Sequence, residues 1–187
     1  MLIGLCGKKQ AGKSTITDYL VSKGWVEISF AYPLKEIIGR ELFGFNDEQL
    51  YGPEEVKEAV VPEWNMSPRK VLQIVGTDMF RKYIREDFWV YLAKKRVIEL
   101  QMKNPNINIV ISDCRFPNEL DMIKDLDGTV IRVIRPDKEH VDSHESENAL
   151  NDYIVDFEIE AKSGDIKGLK FAIDEYIEEL RKIHYAI

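Results

Sequence analysis

The sequence has little of what secreted, membrane-spanning or nucleic-acid-binding proteins depend on. It contains two cysteines in 187 residues, Cys6 and Cys114, which are too few for a disulfide framework or a cysteine-based zinc site. It has no apolar run long enough to span a bilayer, and it begins with a strand-like segment rather than a signal peptide. Acidic residues outnumber basic residues by 33 to 26, and the net charge of −7 argues against binding to a nucleic-acid polymer. We therefore expect a protein of a reducing, cytoplasmic compartment, with neither membrane nor nucleic-acid polymer as its partner.

What the sequence does contain is an alternation of short apolar runs and helical segments. The apolar runs suit buried parallel strands and occur at Leu2–Cys6, Val26–Phe30, Ile107–Ser112, Thr129–Ile134 and Val155–Ile159. The helical segments lie at Ser14–Lys23, Pro33–Leu42, Ser67–Ile84, Phe88–Lys103, Pro117–Leu126 and Ile166–Ile183. This alternation, in a chain of one-domain length, predicts an α/β fold in which about five parallel strands are covered by helices on both faces.

The long interval between the second and third predicted strands contains only helix-like sequence. Its first half is broken by Gly44, Gly52, Pro53 and Pro62. These breaks predict short helices and a mobile loop. The acidic pairs at residues 47–48 and 54–55 are expected to be solvated charge rather than ligands.

The most specific motif is residues 7–14, GKKQAGKS, which fits the phosphate-binding pattern G-x-x-x-x-G-K-[ST] at every required position. It lies between a predicted strand and a predicted helix, as a phosphate-binding loop (P-loop) does. Gly7 and Gly12 let the backbone curl so that its N–H groups point at phosphate oxygens, and the helix N-terminus adds a positive dipole end. Lys13 would bridge the terminal phosphates and the Ser14 hydroxyl would hold Mg²⁺. The alternative is a glycine turn before an ordinary helix, but the fit predicts a nucleoside triphosphate site.

A second polar segment follows the third predicted strand. Asp113 ends that strand, so it is expected beside the phosphates at the carboxyl edge of the sheet, where it could hold water on Mg²⁺ or orient a substrate hydroxyl. Arg115 could reach a transferring phosphoryl group, whose spread charge suits a planar guanidinium. The alternative is that Asp113 caps the helix at Pro117 and that Arg115 is an ordinary surface residue.

A third segment begins at Ser67, where the following proline indicates the start of a helix. Arg69 and Gln73 are four residues apart and share one face of that helix. The small and polar run at residues 76–78 is predicted to interrupt or end the helix, which suits the close approach of a ligand. The alternative for Arg69 is a solvated residue on an amphipathic helix.

A fourth segment follows the fourth predicted strand. Arg135 leaves that strand at the carboxyl edge of the sheet, and residues 136–150 after it are interpreted as a short polar lid or, alternatively, as a capped short helix. His140 and His144 lie four residues apart, but no further cysteine or histidine completes a metal site with them.

Taken in order along the chain, these segments resemble the deoxynucleoside monophosphate kinases of tailed phages and related viruses. The resemblance is carried by the glycine loop, residues 31–35, residues 67–78 with Trp89, residues 113–119, and Arg135-Pro136 with Ser143, His144 and Glu147. It implies a P-loop NTPase three-layer sandwich with a helical acceptor-binding insertion at about 33–104. It also implies transfer of the γ-phosphoryl group of ATP to a deoxynucleoside 5′-monophosphate with the help of Mg²⁺. A homodimer in the host cytoplasm of a virus is what the resemblance suggests for assembly and location.

The resemblance also implies roles for individual residues. ATP would be bound by Gly7, Gly12, Lys13, Ser14, Thr15 and Arg135. The deoxynucleoside monophosphate would be bound by Lys9, Leu34, Lys35, Arg69, Gly76, Thr77, Trp89, Asp113, Arg115 and Glu119. The catalytic residues would be Lys13, Arg69, Asp113 and Arg115, and the metal would be held by Ser14 and Asp113.

Two other functions remain compatible with the sequence. One is another small-molecule P-loop kinase, such as a phosphomevalonate or dephospho-coenzyme A kinase, because this fold changes its substrate freely. The other is a P-loop ATPase that switches a macromolecular partner, which the acidic charge and the small size disfavour. The linear sequence leaves open which bases are accepted and how deoxyribose is told from ribose.

Overall fold

The computed structural model describes residues 1–137 and 149–185. Five strands form one sheet and lie at Leu2–Cys6 (β1), Val26–Ile28 (β2), Ile109–Ile111 (β3), Thr129–Ile134 (β4) and Phe157–Glu160 (β5). Their order across the sheet is β2-β3-β1-β4-β5, and every neighbouring pair is parallel. The predicted α/β fold with a five-stranded parallel sheet is therefore confirmed.

Seven α-helices and two π-helices are assigned among the described residues. The α-helices are Lys13–Ser22 (α1), Asp47–Tyr51 (α2), Glu54–Glu58 (α3), Pro68–Gln73 (α4), Phe88–Lys103 (α5), Pro117–Asp125 (α6) and Ile166–Tyr185 (α7). The π-helices, with their wider i→i+5 hydrogen-bond pattern, are Leu34–Leu42 (π1) and Ile74–Ile84 (π2). No described helix combines the length and the apolar composition needed to cross a bilayer.

Helices cover both faces of the sheet. Alternate residues of β1 point to opposite sides and therefore contact different helices. Ile3 and Leu5 are fully buried in a cluster with residues of α1 and α7, including Ile16 and Ile173. Gly4, between them, faces α6: a Cβ built on it would lie 2.2 Å from Ile123 Cδ1. A glycine at this position of β1 therefore lets α6 pack closely on the second face.

The chain divides into two compact units. The sheet unit is Met1–Ser29 with Arg96–Ile187, and the helical unit is Phe30–Lys95. The helical unit has its own small core, in which Phe45, Leu50, Val71 and Val75 are buried together. Most of the interval that we expected to be a helical insertion therefore forms a unit of its own.

Three of the five predicted strands are longer in the prediction than in the structure. The run predicted at residues 26–30 pairs as a strand only over Val26–Ile28, against Ile109–Ile111. The run predicted at residues 107–112 is a strand only over Ile109–Ile111. The last strand, predicted at residues 155–159, is Phe157–Glu160. Hydrophobic character extends past the pairing, so it marks a strand's existence better than its ends.

The helix predicted at 67–84 is present, but it changes type at Ile74. Ser67 begins α4 as predicted: its hydroxyl accepts a hydrogen bond from Lys70 N at 3.3 Å, and proline occupies the first helical position. Residues 76–78 were predicted to interrupt or end the helix. They do not end it, because π2 continues through them to Ile84. The small residues are accommodated by a change from α to π hydrogen bonding rather than by a break.

Candidate phosphate-binding site

The glycine loop lies between β1 and α1, and its shape requires glycine at both ends. Gly7 has φ 131°, and a Cβ there would lie 2.3 Å from Val133 O. Gly12 has φ 113°, and a Cβ there would lie 2.9 Å from Leu169 Cδ1. A positive φ is strained for residues with a Cβ. At Gly7 the contact with Val133 O also leaves no room for a Cβ. Backbone geometry therefore explains both glycines of the motif, and their part in phosphate binding stays a prediction.

Lys13 is the first residue of α1, and its side chain folds back over the loop. Its Nζ donates hydrogen bonds to Gly7 O at 2.5 Å and to Lys8 O at 2.9 Å. The ammonium group is therefore held against the loop by two of the loop's carbonyl oxygens. Ser14 follows in the first turn with its side chain exposed, where the N-terminal N–H groups of the helix favour an anion.

The polar groups that sequence reasoning assigned to strand ends share one edge of the sheet. Because the strands are parallel, the residues after them lie at the same carboxyl edge. The loop follows β1, Asp113 follows β3 and Arg135 follows β4. The sheet unit therefore brings together the candidates for ATP and for the metal.

Asp113 bonds across the sheet and is not a helix cap. Its Oδ2 accepts a hydrogen bond of 2.7 Å from the hydroxyl of Ser29, the first residue after β2. The N-cap of α6 is Phe116. The alternative reading of Asp113 as a capping residue is therefore wrong, because three further residues separate it from the start of α6.

Glu119 is 2% exposed and fixes the backbone that carries Arg115. Its Oε2 accepts hydrogen bonds from Arg115 N at 2.6 Å and from Phe116 N at 3.1 Å. The Arg115 side chain itself is exposed. This arrangement gives Glu119 a positioning contact, whereas its direct contact with a nucleotide stays a prediction.

Arg135 Nε is buried and has no hydrogen-bond partner among the residues that the structure describes. A buried donor without a partner costs free energy, so this guanidinium is suited to receive an oxygen from a ligand. The remainder of the predicted lid, including His140, Ser143, His144 and Glu147, lies outside the described residues.

In the helical unit, three of the predicted acceptor residues meet around Gly76. Trp89, 6% exposed, donates from its indole Nε1 to Gly76 O at 3.0 Å. A Cβ on Gly76 would lie 2.8 Å from Leu34 Cδ2, so the leucine packs directly against the glycine backbone. Trp89 also contacts the rings of Phe80 and Phe88, with centroids 5.2 Å and 5.0 Å away. Its described contacts are therefore those of a core residue that holds π2 in place.

Lys35 is held by an aromatic ring that the sequence analysis did not single out. Its Nζ lies 4.3 Å from the ring centroid of Tyr51 in α2. The Tyr51 hydroxyl in turn donates to Glu36 Oε1 at 2.6 Å. A cation over a ring anchored in this way loses less freedom when it binds an anion.

Two further predicted acceptor residues, Thr77 in the helical unit and Lys9 in the sheet unit, are exposed.

Arg69 forms two ion pairs inside the helical unit. Nη2 donates to Glu54 Oε1 at 2.7 Å, and Nε lies 2.9 Å from Glu58 Oε1. Glu54, expected from the sequence to be solvated charge rather than a ligand, is 44% exposed and takes part in an ion pair that the sequence did not predict. The reason is the fold: α3 and α4 bring residues 15 positions apart into contact. The charge pattern alone gave no signal for this pairing.

The donor set at the carboxyl edge of the sheet fits Mg²⁺. A serine hydroxyl and an aspartate carboxylate, from Ser14 and Asp113, are hard oxygen donors. Across the described ranges there is no group of three or more histidine, cysteine, aspartate or glutamate side chains placed to hold an ion. Mg²⁺ is commonly held by one or two protein oxygens together with substrate phosphates and water, so the chemistry of these two residues is compatible with it, and their role as metal ligands stays a prediction.

The two cysteines are buried in the sheet unit. Burial raises the pKa of both thiols, of Cys114 well above its usual value, and partly offsetting contacts with Arg132 act on Cys6. Neutral buried thiols behave as small hydrophobic groups, so neither cysteine is suited to act as a nucleophile.

Two solved structures share the α/β fold of this chain. TT1252 from Thermus thermophilus superposes with a TM-score of 0.52 at 19% identity, covering 96% of this chain and 97% of that one. A dephospho-CoA kinase from Campylobacter jejuni gives a TM-score of 0.54 at 19% identity, covering 98% of each chain. At this identity the likeness defines the fold and leaves the substrate open.

Comparison of the sequence defines the family. The profile of the family described as deoxynucleotide monophosphate kinase matches residues 43–171. A protein of Acanthamoeba polyphaga mimivirus, named as a candidate deoxynucleotide monophosphate kinase, is 43% identical over 159 residues, covering 80% of this chain and 82% of its own. The deoxynucleoside-5′-monophosphate kinase of Escherichia phage T5 is 27% identical over 154 residues, covering 79% of this chain and 57% of that protein. The chain belongs to the deoxynucleotide monophosphate kinase family.

Proposed function

We propose that the protein transfers the γ-phosphoryl group of ATP to a deoxynucleoside 5′-monophosphate, giving the diphosphate and ADP. The observation that carries the proposal is the glycine loop with the Lys13 ammonium bonded to two of its carbonyl oxygens, in a chain of this family. The loop supports a triphosphate donor, and the family supports a deoxynucleotide acceptor.

The sheet unit would bind ATP. The loop N–H groups and the N-terminus of α1 would receive the phosphates, and Lys13 would exchange its bonds to Gly7 O and Lys8 O for phosphate oxygens. Ser14 and Asp113 would hold Mg²⁺, which supplies neutralisation of the phosphate charge when bound. Arg135 would direct its buried Nε–H to an ATP oxygen, and Thr15 would add a hydroxyl in the first turn of α1.

The remaining candidates would bind the acceptor and stabilise the transferring group. Arg69 and Lys35 are cations suited to the acceptor phosphate, and Leu34, Gly76, Thr77 and Trp89 would form the surface behind it. Arg115, on a backbone fixed by Glu119, would stabilise charge on the transferring phosphoryl group, and Lys9 would add positive charge near the loop. Because little covalent chemistry is asked of the protein, positioning and charge neutralisation account for most of the rate enhancement.

We further propose that residues 33–104 act as the acceptor-binding insertion and that residues 136–150 act as the lid. Closure on substrate would exclude water, since water at the site would accept the phosphoryl group instead of the monophosphate. A chain that hydrolyses ATP equally well with and without acceptor would contradict this part of the proposal.

A coupled assay of ADP release tests the function directly. Mg-ATP is supplied with each of the eight common ribo- and deoxyribonucleoside monophosphates in turn, beside a reaction without acceptor. Turnover with one or more deoxynucleotides well above the rate without acceptor is the expected result, and it also gives the base preference. Silence with all eight, from protein that binds ATP, would overturn the proposal and direct the search to other phosphorylated acceptors, including those of dephospho-coenzyme A type.

A further inference from the structure

Ser29 lies at the site although no motif includes it. It is the first residue after β2, and Asp113 is the second residue after β3, the strand that pairs with β2 in the order Ile28↔Ile111. Ser29 Oγ donates a hydrogen bond of 2.7 Å to Asp113 Oδ2. Both side chains are half-buried, so neither is a freely rotating surface group.

The backbone on both sides of this contact is fixed by the sheet. Ser112 N donates to Ile28 O at 3.1 Å, which continues the ladder of β2 and β3 up to the residues in question. A hydroxyl bonded to a carboxylate is a charge-assisted contact, stronger and shorter than a bond between neutral groups. With one oxygen of the Asp113 carboxylate held, rotation of the whole group about its terminal torsion is restricted.

We propose that Ser29 is a positioning residue for phosphoryl transfer: its hydroxyl holds the Asp113 carboxylate at the carboxyl edge of the sheet, in the orientation that supports Mg-nucleotide binding and turnover. The inference rests on the proposed function, because Asp113 matters to Mg²⁺ only if ATP is the donor. Ser29 itself touches neither the metal nor the phosphates in this role.

A neighbouring contact provides a matched control. Ser112 Oγ donates to Glu27 Oε1 at 2.5 Å, so it is also a serine hydroxyl bonded to a carboxylate across β2 and β3. Glu27 and Ser29 lie on either side of Ile28 in the chain. Glu27 is an exposed residue within β2, whereas Ser29 is the first residue after β2. Loss of the Ser112 hydroxyl removes a bond of the same kind on the same two strands without touching the Asp113 side chain.

The test compares Ser29→Ala, Ser29→Thr and Ser112→Ala with the unmodified protein. We expect Ser29→Ala to lower kcat by about tenfold to a hundredfold, the factor for a hydrogen bond to a charged group. It should also raise the Mg²⁺ concentration needed for half-maximal rate, while the KM for the monophosphate changes little. Ser29→Thr keeps the hydroxyl and should restore most of the rate, and Ser112→Ala should stay within about twofold of the unmodified protein, as expected for a contact outside the site.

A binding measurement separates positioning from folding. Calorimetric titration with ADP, with and without Mg²⁺, should show that Ser29→Ala loses only the Mg²⁺-dependent part of the affinity. In an Asp113→Ala background, which leaves no side-chain acceptor for the Ser29 hydroxyl, the same change should have no further effect, because a residue that acts through another has no effect once that other is removed. Thermal unfolding of each variant identifies a folding defect, and Ser29→Cys, of similar volume, takes the place of Ser29→Ala if the alanine variant does not fold.

Two results would overturn the inference. One is a Ser29→Ala protein as active and as Mg²⁺-responsive as Ser112→Ala. The other is a Ser29→Ala change that lowers the Mg²⁺-dependent ADP affinity equally in the presence and in the absence of the Asp113 carboxylate. Failure of the proposed function looks different, since the unmodified protein would then turn over none of the monophosphates. In that case the Mg²⁺-dependent ADP titration still decides whether Ser29 acts through Asp113.

Discussion

Arg69 Nη2 donates a hydrogen bond of 2.7 Å to Glu54 Oε1, and Nε of the same guanidinium lies 2.9 Å from Glu58 Oε1. The cation proposed to bind the acceptor phosphate is thus already opposed by two carboxylates of α3. None of the five residues of α3, all of them described, is buried, and the side chains of the three partners are between 36% and 53% exposed. Ion pairs this exposed are worth little, typically about 0–1 kcal/mol, so a phosphate can displace them.

We expect a Glu54→Gln, Glu58→Gln double variant to bind the acceptor more tightly than the unmodified protein. Removal of two negative charges beside Arg69 relieves repulsion of the incoming dianion, so the KM for the deoxynucleotide should fall by about twofold to tenfold. The KM for ATP should not change. The measurement is steady-state kinetics at low ionic strength, where such charge effects are least screened.

The matched control is Glu55→Gln, which removes the same charge from the same helix. Among the described residues, Arg69 pairs with Glu54 and Glu58 and not with Glu55. An equal fall of KM in this control would mean that net charge alone matters. A rise of KM in the double variant would show that the glutamates hold Arg69 in place for the phosphate rather than compete with it.

Lys13→Ala should abolish turnover and leave the fold intact. The Lys13 ammonium donates hydrogen bonds to Gly7 O and Lys8 O, two carbonyl oxygens of its own loop, so its loss is expected to act on phosphate binding more than on the packing of the core. Loss of a cation from the transferring phosphates should lower kcat by about a hundredfold or more. Lys23→Ala, at the end of α1, removes a lysine paired with Asp174 and should leave turnover close to normal. A folded Lys13→Ala protein with near-normal turnover would contradict the role of the loop.

The sequence was sufficient to predict the architecture and the placement of Asp113. Apolar runs separated by helical segments indicate a parallel sheet, and the rule that polar residues after such strands share one edge brought Asp113 and Arg135 to the loop. The same rule would have found Ser29. It was missed because the second strand was predicted to end at Phe30, and hydrophobicity does not report where strand pairing stops.

Within the helical unit, the candidate residues make contacts that no local sequence pattern contains. Arg69 meets Glu54 across 15 positions, and Trp89 reaches Gly76 O across 13. Such pairs follow from the packing of short helices, so residue type and spacing cannot predict them. The π-helices were not predicted either, since local propensities indicate a helix but not its hydrogen-bond pattern.

Trp89→Phe should weaken the helical unit and the binding of the acceptor together. The change keeps an aromatic ring against Phe80 but leaves Gly76 O without its indole donor, and an unmade buried hydrogen bond costs about 1–3 kcal/mol. The KM for the deoxynucleotide should rise while the KM for ATP stays the same. Kinetics and denaturant unfolding measure both effects, and Trp64→Phe, which removes the bond of Trp64 Nε1 to Phe43 O, is the control for stability alone. A Trp89→Phe protein of lower stability but unchanged KM would restrict Trp89 to a structural role.

Glu36 should make the stability of the protein depend on pH in the acid range. Hydrogen bonds from Arg40, and then from the Tyr51 hydroxyl, lower the pKa of the Glu36 carboxyl. A carboxyl whose pKa is lower in the folded state contributes stability above its ordinary pKa of about 4.3, and that contribution is lost as the pH falls through the folded value. Glu36→Gln should therefore be less stable than the unmodified protein at pH 7, and the difference between their melting temperatures should shrink as the pH approaches 3. Glu41→Gln, which removes a charge from an exposed position of the same helix, reports the effect of net charge. A difference that is constant from pH 7 to pH 3 would contradict the linkage to the Glu36 carboxyl.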